Sequence, residues 1–92
     1  MSKKELDIKV KMISAVTEAL SYKRKNPLLE NEKVIKHISK FVSKESKGIQ
    51  FAMIAASSKA LSITEKNSKL TDKEIIKKVL VMLPLILDNV DK

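Results

Sequence analysis

The sequence is organised around residues 79–87, which read VLVMLPLIL, a run of nine residues without a charge near the C-terminus. A helix that is apolar on every side has no face suited to water and belongs in a protein interior or an interface. We therefore interpret the run as a central helix, kinked at Pro84, whose missing amide and ring cost about 3 kcal/mol in a helix interior. A buried strand is the alternative, but one strand without an alternating partner does not make a sheet.

The start of this helix is marked by Thr71, Asp72, Lys73 and Glu74, which have the spacing of a capping box. In this motif the Thr71 hydroxyl and the Glu74 carboxylate each accept a hydrogen bond from the other residue's free backbone amide. A hydrophobic staple flanks the box, formed by the residue before the cap and the residue four positions after it. These two residues are Leu70 and Ile75.

A first helix is indicated from the N-terminus, where Ser2 and Glu5 repeat the capping-box spacing. Its expected core face follows alternating steps of four and three residues. The face consists of Leu6, Val10, Ile13, Thr17 and Leu20, widened by Met12, Val16 and Ala19. Residues 6–12 also alternate between apolar and polar, which is typical of a strand, but nothing breaks the helical pattern before Asn26.

A second helix is expected to start at Pro27 with Asn26 as its N-cap, because proline suits the first turn of a helix. Its apolar positions are Val34, Ile35, Ile38, Phe41 and Val42. Gly48, the only glycine in the chain, follows this pattern and is expected to end it as a left-handed cap.

A third helix is indicated after Gly48, since Lys59 is the only charged residue between Ile49 and Thr64. Alanines at every fourth position form a narrow ridge that allows a partner helix to approach closely. These are Ala52, Ala56 and Ala60. The expected partner of this ridge is the C-terminal helix.

Together these patterns predict an all-α fold, a small four-helix bundle with short connections in a single domain over residues 1–92. The helices are expected at about 3–25, 27–46, 49–66 and 72–90. A helix-turn-helix reader of DNA is disfavoured, because the third helix would have to enter the groove and its surface is nearly uncharged.

The sequence contains no pattern of a catalytic, metal or cofactor site. It has no cysteine and a single histidine. His37 has no second histidine or carboxylate at ligand spacing on its face, so we expect it to be exposed and without a function. We expect no enzyme activity, no metal and no cofactor. A cytoplasmic protein is expected, because the longest apolar run is about half a membrane span and no apolar segment follows the N-terminal lysines.

The formal net charge is +8, which raises the question of a polyanionic partner. Of the 19 basic residues only Arg24 is an arginine. Lysine lacks the planar fork that reads guanine, so any nucleic-acid binding would be independent of sequence. The best basic stripe follows the second helix through Lys33, Lys36, Lys40, Lys44 and Lys47. An ordinary solvated face, partly paired with acids such as Glu32 with Lys36, is the other interpretation.

Two functions remain open on these grounds. The first is a protein-interaction module that uses its apolar C-terminal helix. It is expected to self-associate as a homodimer, or else to bind another protein through the same helix. The residues proposed for this contact are Val81, Met82, Leu85 and Ile86. The alternative is a non-specific binder of nucleic acid or another polyanion that uses the lysine stripe.

Overall fold

The structure is a computed structural model that describes residues 3–82, with side chains from residue 6 onward. It contains four helices, α1 (Lys3–Lys25), α2 (Asn31–Phe41), α3 (Lys47–Lys66) and α4 (Asp72–Val81). The expected small all-α bundle is therefore confirmed. The proposed Ser2 and Glu5 cap, the kink at Pro84 and the part of the C-terminal helix after Met82 lie outside the described residues.

Helix α3 separates two buried clusters, and its pairing with α1 is the most extensive helix contact. The first cluster contains the alanine ridge together with residues of α1 and α4. Its members are Ile8, Met12, Val16, Leu20, Ala52, Ala56, Ala60, Ile75 and Val79. The ridge was expected to pack against the C-terminal helix. It shares its cluster with α1 as well as α4, because the small side chains admit both neighbours.

The second cluster fills the space between α1, α2 and α3. It contains Ala15, Ala19, Val34, Ile38, Val42, Met53 and Leu61. Because α1 contributes to both clusters, the apolar side chains that it buries cover a wide arc of the helix.

The expected core face of α1 was wrong over its N-terminal half. Leu6 is 51% exposed and Val10 is 58% exposed, while Ile8 and Met12 are buried. Helix α3 lies against the side of α1 that carries Ile8 and Met12. The apolar stripe on that side is therefore buried, and the stripe with Leu6 and Val10 is not. The expectation was also wrong for Thr17, which is exposed. It was correct for four residues that are buried, Met12, Val16, Ala19 and Leu20.

Helix α2 starts later than expected, at Asn31 and not at Pro27. Asn26 does not cap it. The amide side chain of Asn26 donates to the carbonyl of Tyr22 over 3.0 Å and thereby terminates α1. Pro27 lies in the turn that follows, and Glu30, in an extended conformation, is the N-cap of α2.

The helix also ends earlier than residue 46, since the chain turns after Phe41 and buries Val42. Phe41 was expected in the core but is 46% exposed. The side-chain amide of Gln50 donates to the carbonyl of Glu45 over 2.7 Å, which holds the turn in place from the first turns of α3.

Gly48 is not a left-handed cap. It lies in the first turn of α3, whose N-cap is Ser46, and it has no positive φ. The turn between α2 and α3 is closed by backbone hydrogen bonds such as that from the Glu45 amide to the Val42 carbonyl, over 2.9 Å. The third helix therefore starts two residues earlier than expected.

The capping box of α4 is confirmed. The Glu74 amide donates to Thr71 Oγ1 over 3.2 Å, and the Thr71 amide donates to Glu74 Oε1 over 3.0 Å. The backbone amide of Thr71, and after it the Thr71 hydroxyl, which donates to Glu74 Oε1 over 3.0 Å, hold the pKa of the Glu74 carboxyl below its ordinary value. Leu70 packs against the cluster that contains Ile75, as a staple requires.

Candidate functional site

The C-terminal surface proposed for self-association begins at the end of α4. Ile75 and Val79 of this helix are buried, whereas Val81 is 80% exposed and Met82 is half-buried. Successive helical residues are about 100° apart, so Val81 lies on the side of α4 opposite Val79. Val81 is thus an apolar side chain directed to solvent.

The other two residues proposed for this surface, Leu85 and Ile86, lie outside the described residues. In the sequence they follow Val81 and Met82 at a spacing of four.

A second exposed apolar surface lies on α1. Leu6 and Val10 are separated by one helical turn, and Ile13, half-buried, comes three residues later on the same side. Sequence analysis singled out these residues for the core, and the structure leaves the first two in solvent. Their alternating spacing marks them as one stripe.

The lysine stripe is exposed along its whole length. Lys33, Lys36 and Lys40 project from α2, Lys44 lies in the following turn and Lys47 begins α3. Within residues 6–82, no ion pair involves any of the five. The expected pair of Glu32 with Lys36 is therefore not formed.

One acid near the stripe is engaged elsewhere. Glu45, in the turn after α2, pairs with Lys11 of α1 over 2.8 Å. This ion pair connects the turn to α1. The Glu45 carboxylate is therefore paired with Lys11 and not with Lys44. Phe41, beside Lys40 and Lys44 in the chain, adds an exposed aromatic ring that was expected in the core.

His37 is not an exposed residue without contacts, as had been expected. Its Nε2 lies 2.8 Å from Glu18 Oε2, and its ring stacks on Tyr22 with ring centroids 3.9 Å apart. Glu18 and Tyr22 are four residues apart and therefore lie on one side of α1. The spacing of four between Glu18 and Tyr22 is the feature of the sequence that could have indicated a shared contact with His37. The arrangement joins α2 to α1.

A shallow cleft of about 390 Å³ lies where the end of α1 meets the start of α4. Both basic side chains that line it already have partners. Lys23 donates to the carbonyl of Leu29, and Arg24 forms an ion pair with Asp72. Because these groups hold the helix ends together, they leave no converging set of polar groups for a small ligand.

The described helices offer neither a metal centre nor a membrane span. Within residues 3–82 no three His, Cys, Asp or Glu side chains form a group that could hold a metal ion. None of the four helices is both long and apolar enough to cross a bilayer.

Comparisons of the chain with models of protein families, with curated proteins and with solved structures gave no match. The candidate sites therefore rest on geometry alone. They are the exposed apolar surface at the end of α4 and the lysine stripe along α2.

Proposed function

We propose that this protein is an interaction module that self-associates through the apolar surface at its C-terminal helix. The proposal rests on one observation: Val81, which belongs to the uncharged run at residues 79–87, is 80% exposed. An exposed apolar residue alone is ordinary, but a contiguous apolar surface marks an interaction site.

The expected energetic gain supports association. Burying one large aliphatic side chain contributes roughly 1.5–3 kcal/mol. In a symmetric dimer every contact is made twice, because the same patch of each subunit packs against its own copy. Val81, Met82, Leu85 and Ile86 of two subunits would supply such a self-complementary patch.

A charge-insertion variant tests the proposal. Val81→Lys places a charge in the patch and should lower the weight-average mass, measured by sedimentation equilibrium, to that of the monomer. Leu28→Lys is the matched control, because Leu28 is 98% exposed in the connection between α1 and α2. The proposal is wrong if both variants retain the mass of the unsubstituted protein while keeping its helical circular dichroism.

A second function is supported by the lysine stripe. Five exposed lysines without an ion pair inside the described residues form a continuous cationic surface. Such a surface attracts polyanions through the release of condensed counterions, and the attraction falls steeply as salt is raised. The expected ligand is nucleic acid or another polyanion bound without sequence preference.

The test compares two triple variants of equal charge change. Replacing Lys33, Lys36 and Lys40 by glutamine should weaken binding to duplex DNA to a similar degree for every sequence and reduce the salt dependence. The control replaces Lys73, Lys77 and Lys78 of α4, which are equally exposed, and should have less effect. Equal losses in both variants would assign the attraction to net charge and contradict a site on α2.

A further inference from the structure

Both phenylalanines of the chain leave much of their rings in solvent. Phe41 is 46% exposed at the end of α2, and Phe51 is 50% exposed on α3. The remaining aromatic residue, Tyr22, stacks on His37. A single exposed apolar side chain is ordinary by itself, so the meaning of each ring depends on its neighbours.

The end of α2 leaves Phe41 in solvent. The chain turns after this residue, and the amide of Val42 donates to the carbonyl of Ile38 over 3.0 Å. Val42 takes the core position and is 1% exposed. Phe41 stays outside, about a quarter of a turn around the helix from Lys40, and lies at one edge of the lysine stripe.

The surroundings of Phe41 in the chain are strongly cationic. Lys40 precedes it and Lys44 follows three residues later, and both are exposed. Residues 33–47 contain five lysines and one acid. Because that acid, Glu45, is paired with a lysine of α1, the charge beside the ring is positive.

We propose that Phe41 is a stacking platform for a base of single-stranded nucleic acid whose phosphates are held by the lysine stripe. The inference rests on the polyanion binding proposed above for the stripe, and it names the ligand. Proteins that bind single strands combine a cationic surface along the backbone with aromatic rings on which bases stack. In a duplex the bases stack on one another, whereas a single strand presents their faces to a protein ring. The flexible lysine stems let the ammonium groups reach phosphates on either side of the stacked base.

An anionic membrane surface would also attract the lysines, but the composition of α2 favours the single strand. A helix that lies in a membrane interface presents a broad apolar face to the lipid. Within Asn31–Phe41, Phe41 is the only exposed large apolar side chain. The exposed residues nearest to it in the chain are polar, namely Ser39, Lys40 and Ser43. One ring among polar residues suits a base better than a lipid layer.

Tryptophan substitution tests the contact, because the chain has no tryptophan of its own. Phe41→Trp places a single indole at the edge of the stripe. Phe51→Trp is the matched control, since Phe51 is also a half-exposed phenylalanine but has one charged residue, Lys47, within four positions of it. Each variant is titrated at low salt with oligothymidylate, with a duplex of the same length, with polyphosphate, which has charge but no bases, and with vesicles that contain phosphatidylserine.

The proposal predicts that oligothymidylate quenches the indole fluorescence of Phe41→Trp, and that the duplex and polyphosphate bind without quenching it. Phe51→Trp should change little with any of the four ligands. Phe41→Leu keeps an apolar side chain without the ring, and should weaken the binding of labelled oligothymidylate about fivefold or more while leaving polyphosphate binding unchanged. Phe41→Tyr retains the ring and should retain the affinity.

Equal quenching in both tryptophan variants, or an unchanged affinity of Phe41→Leu, would overturn the inference, and binding of polyphosphate would still support the function of the stripe. A response of Phe41→Trp to vesicles and not to oligothymidylate would overturn it and assign the ring to a membrane surface. If neither polyphosphate nor an oligonucleotide bound, the proposed function of the stripe would be wrong, and the inference with it. If Phe41→Leu lost its helical circular dichroism, the two tryptophan variants would still decide the question.

Discussion

The two apolar stripes of α1 have opposite surroundings, although their side chains are of similar size and hydropathy. Met12 and Val16 are almost completely buried, whereas Leu6 and Val10 are more than half exposed. The buried stripe faces α3, which runs beside α1 over much of its length. The stripe with Leu6 and Val10 lies on another side of α1, which the described neighbours leave largely exposed. Burial along α1 is therefore decided by which side of the helix its neighbours contact as well as by hydropathy.

The strongest test of this comparison replaces one residue in each stripe. Met12→Ala removes a side chain that is 1% exposed and should destabilise the fold by about 2–5 kcal/mol, through lost transfer energy and the cavity left behind. Val10→Ala should cost about 1 kcal/mol or less in this exposed setting. Chemical denaturation monitored by circular dichroism measures both. Similar costs would contradict the assignment of the core to one stripe.

The alanine ridge gives the next largest expected effect. Ala56 is fully buried between α3 and its neighbours, so Ala56→Leu should overpack the first cluster and destabilise the protein by about 1–3 kcal/mol. Ala55, the adjacent alanine, is only half-buried, and Ala55→Leu is the matched control with a smaller expected cost. Denaturant midpoints that shift equally would show that the ridge does not set the helix spacing.

The cap of α4 begins the helix whose Ile75 and Val79 share a buried cluster with Leu20 of α1. Thr71→Ala removes the hydroxyl that accepts from the Glu74 amide and should destabilise the protein by about 1 kcal/mol. Thr17→Ala is a suitable control, because Thr17 Oγ1 donates only to the Ile13 carbonyl one turn earlier. An unchanged thermal midpoint for Thr71→Ala would mean that the cap does not stabilise α4.

The same cap predicts the smallest effect, a pH dependence from Glu74. Its pKa is lowered in the folded protein, chiefly by the Thr71 amide, so ionised Glu74 stabilises the fold. This contribution is complete above the ordinary pKa of a glutamate and is lost as the pH falls through the lowered value. Glu74→Gln should therefore narrow the gap in stability between neutral and acid pH, measured by denaturation at each pH. An identical pH profile would show that Glu74 does not contribute to the pH dependence of stability.

The sequence alone predicted the helical elements well where local chemistry determines them. Residues 71–74 specify a capping box that needs no tertiary contact, and α4 starts at Asp72 as expected. The end of α1 was also correct, although the reason differed, since Asn26 bonds back to Tyr22 and does not cap the next helix.

The errors occur where distant residues decide the outcome. Helix α2 is shortened at its C-terminal end by a turn that Gln50 and the pair of Lys11 with Glu45 hold in place. Residues that pack across the fold are not visible in a local pattern. For the same reason the α1 pattern combined a buried and an exposed stripe into one face.

The candidate surfaces were predictable only as residue types. The exposure of the lysine stripe follows from its helical spacing, but the engagement of Glu45 by Lys11 is a tertiary fact. Val81 was part of an uncharged run and was proposed for the contact together with Met82, Leu85 and Ile86. Its orientation away from Val79 became clear only once the packing of α4 was known.

Self-association is measured directly by the molar mass of the unsubstituted protein across a dilution series, by light scattering at low and high salt. Self-association through an apolar surface predicts a mass that rises from monomer toward dimer with concentration and persists or strengthens when a kosmotropic salt such as sulfate is added. A constant monomer mass up to high micromolar concentration in both salts would contradict the claim.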